Sequence, residues 1–227
     1  MNRPLNIAAL VTIPVAILLL AARLTSGVSH AANGPAAAPA VGSELAPFAA
    51  EDTAVFAGGC FWGVEAVFDH VKGVYRATSG YAGGTLANPS YEQVSTGDTG
   101  YAESVQVIYD PSVVSYGKLL QIFFSVAHDP TQLNRQGPDH GTQYRSAIFY
   151  RNDRQKLVAE GYIKQLTEAK TFSRPIVTEV TKLPAFHAAE DYHQHYLEQH
   201  PNQPYIVIND MPKLAALKKQ FPDIYFN

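Results

Sequence analysis

The chain divides by its pattern of apolar and polar positions. Leu5 to Ala22 is uncharged and largely apolar, with Arg3 before it, Pro14 inside it and Arg23 after it. Gly34 to Ala50 is rich in Ala, Pro and Gly. From Glu51 onward, short apolar runs alternate with helix-periodic segments and polar loops. Ala54-Val55-Phe56-Ala57 reads as a buried strand, and Phe61, Val64, Val67, Phe68 and Val71 then recur near a 3.6-residue period, as one face of a helix. Gly73 to Gly80 and Ser104 to Tyr109 read as strands, the second broken by Asp110-Pro111. Ser115 is the expected N-cap of a helix carrying Leu119, Leu120, Ile122, Phe123 and Val126. Ala147 to Tyr150 and Pro175 to Val180 are further strand candidates. Asn152 or Asp153 caps a long helix to about Ala169, with Leu157, Val158 and Leu166 inward. A helix is expected around Glu190 to Tyr196 and a short one around Leu214 and Leu217. The expected fold is α+β: a mixed, mainly antiparallel sheet flanked by helices, a ferredoxin-like two-layer core with long functional loops.

Composition adds boundaries to this outline. An apolar run between arginines at the N-terminus resembles a signal peptide or an uncleaved signal anchor over residues 1–31, with Ser29-His30-Ala31 as the cleavage site. Residues 32–50 read as a flexible Ala/Pro/Gly tether, and 51–227 as the folded domain. The expected location is the far side of a bacterial inner membrane, in the periplasm, secreted or anchored by the apolar segment. Hydrophobic residues make up 46% of the chain, enough for a core, and the formal charge of -3 leaves no basic excess, so nucleic acid is excluded as a partner. A single cysteine excludes a disulfide framework and a cysteine-based metal cluster.

That cysteine, Cys60, stands in Gly58-Gly59-Cys60-Phe61-Trp62-Gly63, between the first strand and the first helix. The glycine pair permits a sharp turn, which places Cys60 in the first turn of the helix. Unpaired N–H groups and the dipole there favour a thiolate. Two large aromatics follow the sulfur. Glu103 sits at a loop-to-strand junction, where a side chain can be aimed into a cleft, and the polar stretch from His128 to Ser146 is too long to be a simple connection. Two other chemistries compete. His187, Asp191 and His195, four residues apart, would share one face of a helix as metal ligands, but no fourth ligand is fixed by spacing. A Cys-His nucleophile pair has His70, His128, His140, His187 and His193 as candidates, and no motif selects among them.

Gly59-Cys60-Phe61-Trp62-Gly63, Gly80-Tyr81-Ala82-Gly83-Gly84, Asn88-Pro89-Ser90-Tyr91, Gly100-Tyr101-Ala102-Glu103 and Asp129-Pro130-Thr131-Gln132 through Gly141-Thr142-Gln143-Tyr144-Arg145-Ser146 occur in this order. Ala189 to Gln194 and Asn209 to Lys213 extend the set, which resembles the A-type peptide methionine sulfoxide reductases from about Thr53 to Phe221. The resemblance implies reduction of the S epimer of methionine sulfoxide, free or in proteins, as repair of oxidised proteins. It implies Cys60 as nucleophile, Phe61 and Trp62 as the pocket for the substrate methyl, and Glu103, Tyr91, Tyr144 and Asp139 around the polar end. The chemistry agrees, because a sulfoxide becomes electrophilic when its oxygen is protonated, and a desolvated, protonated Glu103 is a suitable acid. Attack leaves Cys60 as a sulfenic acid. No metal or organic cofactor is expected, and the protein is expected to act as a monomer.

The chain departs from the family pattern in three places. Many relatives carry a second or third cysteine that resolves the sulfenic acid, whereas Ser95 stands in the turn region and the C-terminus carries no thiol. This resembles the single-cysteine branch, whose partner is an external thiol, thioredoxin-like, glutaredoxin-like or small. Tyr101 stands where His is usual, and His187 where Tyr is common.

Overall fold

The computed structural model describes residues 34–46 and 51–227. The expected leader lies outside the described residues. Among those described, no helix is long and apolar enough to cross a membrane.

The central motif is strand β1 (Asp52–Gly58), helix α1 (Phe61–Asp69), β2 (Val74–Ala82), a short helix α2 (Tyr91–Ser95), β3 (Ala102–Tyr109), and helix α3 (Tyr116–Ile122) running into a π-helical turn at Phe123–Ala127. A two-residue hairpin, β4 (Arg135–Gln136) and β5 (Asp139–His140), lies inside the long polar loop and leads to β6 (Ser146–Tyr150). Helix α4 (Asp153–Glu168), β7 (Glu179–Lys182), β8 (Phe186–Ala188), α5 (Tyr196–Gln199) and α6 (Met211–Gln220) complete the chain. The large sheet has the order β7-β6-β1-β3-β2-β8, antiparallel except for β6 against β7. Its inner four strands, β6-β1-β3-β2, have the ferredoxin-like order expected from the sequence.

Side-chain alternation decides which face each strand residue serves. Ala54 and Phe56 of β1 and Val105, Val107 and Tyr109 of β3 pack under α1, α3 and α4, in a core with Phe68, Leu119, Leu120, Phe123, Phe124 and Tyr162. Val55, Ala57, Ala102, Ala147 and Phe149 form the opposite face, covered by Leu183 and Phe186. Ser115 caps α3 by accepting from the Lys118 N–H, and Asn152 caps α4 by accepting from Gln155 N–H. Leu157, expected inward, is exposed, while Val158 and Leu166 are buried. Consecutive helical residues diverge by about 100°, so a face that buries Val158, Tyr162 and Leu166 turns Leu157 outward.

Three segments depart from the expectation. The helix expected around 190–196, and with it the helical face expected to align His187, Asp191 and His195, is divided: His187 lies on β8, Asp191–His193 form a 3₁₀ turn, and His195 adopts a left-handed φ of 50° before α5. Short-range periodicity there gave way to pairing with β2, Tyr81 opposite His187. The strand expected from Pro175 begins only at Glu179.

The third departure concerns the tether, which over 34–46 is laid along α3 and α4. Ala36 is buried, its N–H donates to Ser125 Oγ (2.9 Å), and its carbonyl accepts from Gln121 Nε2 (2.6 Å). Gln165 donates to the Ala38 carbonyl and accepts from the Ala40 N–H, both at 2.9 Å. The Gly117 N–H donates to the Gly42 carbonyl, and a Cβ at Gly117 would meet that oxygen at 2.5 Å. Composition forbids such a strand a core of its own, but not a place on another.

Candidate active site

Gly59 turns the chain from β1 into α1 with φ at 88°, and a Cβ there would stand 2.3 Å from Gln136. Both facts require glycine. Cys60 follows as the N-cap, with φ -53° and ψ 124°, one position before the helix rather than within its first turn. It is 8% exposed. Burial pushes its thiol well above the ordinary range; Glu103 and Asp210 push the same way, while a Trp62 backbone N–H and Lys213 oppose them. The expected resting thiolate is therefore corrected: with the cavity closed around it, the sulfur keeps its proton, because desolvation and two carboxyls outweigh the helix tip.

Glu103 reaches the sulfur through strand geometry. It shares a face with Val105 and Val107 by period-2 alternation, at the end of β3 beyond the apolar core. The Phe61 N–H, first in α1, donates to Glu103 Oε2 at 3.0 Å. Burial pushes the carboxyl up to about 8, against that N–H bond, with Asp139 and Asp210 adding to the rise. At neutral pH the group is predominantly a carboxylic acid.

The aromatic wall is built by α1 and the segments after β8. Phe61 is buried, with its ring 5.0 Å from that of His193 and 6.0 Å from that of Tyr81. Trp62 stacks on Tyr196 at 3.8 Å, meets the edge of Tyr205 at 6.0 Å, and donates from Nε1 to His193 Nδ1 at 3.2 Å. Burial holds His193 below its usual range, so the ring is neutral and accepts through Nδ1. Tyr91 opens α2, where Ser90 and Gln93 form a capping box. Its N–H donates to Glu190 Oε1 (2.9 Å), while the Tyr81 hydroxyl donates to Glu190 Oε2 (2.8 Å). The Tyr91 and Tyr144 phenols are both pushed up, first by burial and next by Glu103, with Cys60 contributing to each, which places them around the same centre. Asp139 comes in on the β4–β5 hairpin, accepts from the Tyr205 hydroxyl, and lines one recess with Cys60, Gln136, Tyr205 and Lys213.

The six other residues singled out in the sequence thus gather about Cys60. Sequence reasoning gave no role to Tyr205, Asp210 or Lys213; the Asn209 to Lys213 stretch was legible only as part of a pattern. The two departures at Tyr101 and His187 meet each other, rings edge-on at 5.7 Å, with the Tyr101 hydroxyl donating to the Leu86 carbonyl. The competing chemistries find less support. His187, Asp191 and His195 do not share a helix. His195 instead meets Glu65 and Asp69, donating its N–H to Glu65 Oε2 and pairing Nδ1 with Asp69 Oδ2, each at 3.0 Å. Of the two buried histidines among the described residues, His128 bonds with Phe123 and Ser146, while His193 belongs to the aromatic wall, accepting from Trp62 through Nδ1.

Comparison with known proteins agrees with this geometry. The family model for peptide methionine sulfoxide reductase matches residues 52–224. A peptide methionine sulfoxide reductase of Mesorhizobium japonicum is 60% identical over 174 residues, 77% of this chain and 89% of that one. Another from Synechocystis is 54% identical over 172 residues, 76% of this chain and 80% of the relative. Among solved structures, methionine sulfoxide reductase A of Corynebacterium diphtheriae superposes with a TM-score of 0.59 at 37% identity, covering 69% of this chain and 78% of its own. Mxr1 of Saccharomyces cerevisiae in reduced form gives 0.59 at 34%, covering 71% and 91%. With a family match over nearly all of the described domain and relatives above half identity, the chain belongs to the peptide methionine sulfoxide reductases, oxidoreductases that reduce methionine sulfoxide.

Proposed function

We propose that Cys60 is the nucleophile and Glu103 the general acid in reduction of the S epimer of methionine sulfoxide, free or in oxidised proteins. Phe61 and Trp62 receive the substrate methyl, Tyr91 and Tyr144 donate to the sulfoxide oxygen, and Asp139 stands beside that polar end. The observation that carries this reading is the Phe61 N–H donating to Glu103 Oε2, which fixes a buried carboxylic acid at the helix tip that holds Cys60. In the reductive step Cys60 first gives its thiol proton to solvent, and the resulting thiolate gives an electron pair to the sulfoxide group and takes its oxygen. Glu103 gives the proton, so the products are methionine, a Cys60 sulfenic acid and the Glu103 carboxylate. The cysteine sulfur is oxidised as the substrate sulfur is reduced. Cys60 is the only cysteine of the chain, so an intrachain disulfide is unavailable and an external thiol must return the enzyme. A thioredoxin-like or glutaredoxin-like protein, or a small thiol, would serve.

Stereo-resolved assay with dithiothreitol tests the reading: the parent consumes the S sulfoxide alone, and Cys60→Ser consumes neither. Retained turnover in Cys60→Ser would overturn it. A sulfoxide-binding protein without catalysis would instead bind sulfoxide peptides equally well before and after that substitution while reducing none. The uncharged run between Arg3 and Arg23 supports action in the periplasm, with the enzyme either tethered to the inner membrane or released. Mass spectrometry of protein recovered from periplasmic and membrane fractions tests location and cleavage together.

A further inference from the structure

Gly63 lies three residues after Cys60 and is the N3 position of α1. In a capping box the N3 side chain folds back toward the N-cap residue. Here N3 has no side chain, and its place is taken from outside. A Cβ on Gly63 would stand 2.1 Å from Asp210 Oδ1 and 2.9 Å from Lys213 Nζ. These two form an ion pair of 3.1 Å at the start of α6, with side chains 0% and 8% exposed. Lys213 and Cys60 line the same recess. Asp210 Oδ2 is buried and has no hydrogen-bond partner among the described residues. A buried carboxylate left half satisfied is costly, so such a pair is rarely explained by stability alone.

We propose that Asp210 and Lys213 act as a detached N3 side chain for the cysteine helix: the Lys213 ammonium steadies the negative sulfur of Cys60 during attack, and Asp210 restrains that charge in the resting enzyme. This rests on Cys60 being the nucleophile. Neither residue need touch the substrate; both act through the sulfur. Lys213 is held 3.1 Å from Asp210, so its charge is largely neutralised until the sulfur ionises. The groups facing Cys60 are Glu103 from β3, Asp139 from the hairpin, the phenols of Tyr91, Tyr144 and Tyr205, and the pair itself. Burial raises Asp210, and Lys213 opposes that rise.

The test follows alkylation of Cys60 by iodoacetamide across pH, which reads thiolate directly and needs no sulfoxide. Lys213→Met is expected to slow alkylation at pH 8 about 10-fold, the effect of roughly one pKa unit of lost charge stabilisation. Asp210→Asn is expected to speed it by a similar factor, and the double variant, which buries no lone charge, to fall between. Removal of either partner breaks the same ion pair. A purely structural role would therefore move both single variants in the same direction, and that result, or no change in either, overturns the proposal. If Lys213→Met does not fold, Asp210→Asn and the double variant decide: slower or unchanged alkylation in Asp210→Asn, or an alkylation rate in the double variant at or above that of Asp210→Asn, refutes the proposal. Should the parent fail to reduce sulfoxide, the functional reading fails while the alkylation result still judges the pair.

Discussion

Replacing Glu103 by Gln tests the acid assignment most sharply, because the amide keeps the shape and can still accept from the Phe61 N–H. With the carboxyl raised to about 8, roughly 90% of it is protonated at pH 7, against about 0.3% for an ordinary glutamate. Burial thus enriches the acid form about 300-fold, and removal of a general acid typically slows a reaction about 10²–10⁴-fold. A single-turnover assay without added thiol isolates the step, since one enzyme molecule can release only one methionine before its sulfur is spent. Glu103→Gln is expected to lower that rate about 10²–10⁴-fold at pH 7. It should also abolish the loss of acid catalysis expected of the parent as pH rises through about 8. Stability gives an independent readout. A carboxyl raised from 4.5 to about 8 makes its full contribution to folding below 4.5 and loses it as pH climbs through 8, a change on the order of 5 kcal/mol. Urea midpoints of parent and variant should therefore diverge between pH 5 and pH 9, with the variant gaining. A variant that turns over at the parent rate, or whose stability tracks the parent across this range, would refute the assignment.

Trp62→Ala removes the ring stacked on Tyr196 and should raise KM for sulfoxide peptides at least 10-fold with a smaller effect on the single-turnover rate, measured by titrating substrate. Gly117→Ala drives a methyl into the Gly42 carbonyl and should cost about 1–3 kcal/mol while exposing residues 34–46 to protease, read by urea denaturation and limited proteolysis. His128 is held down to about 4, chiefly by burial, so the neutral ring contributes stability above 6.5 that is lost as pH falls through 4. Its full effect is on the order of 3 kcal/mol, and NMR titration of the His128 ring, with urea midpoints at pH 7 and pH 4.5, checks both the direction and the window.

The elements legible in the sequence were those whose signals are local. A short apolar run marked β1, partial alternation marked β3, a 3.6-residue face marked α1, and Ser115 and Asn152 or Asp153 marked helix starts, because capping and periodicity act over a few residues. The stretch from His187 to His195 misled for the same reason. Its i, i+4 spacing suits a helix, but pairing of Tyr81 with His187 and the bonds of Glu65 and Asp69 to His195 are long-range and outweigh it. The Ala/Pro/Gly strap had no local signal at all, since its order comes from Gln121, Ser125 and Gln165 on other elements.

By itself the sequence carried the reaction class, because the motifs around Cys60, Tyr91, Glu103 and Tyr144, in that order, resemble a single family. The tertiary structure alone decided their protonation. Cys60 keeps its proton, Glu103 rises to about 8 and Asp210 is left half satisfied beside Lys213, because burial and neighbouring charge belong to the folded arrangement and not to any segment of the chain.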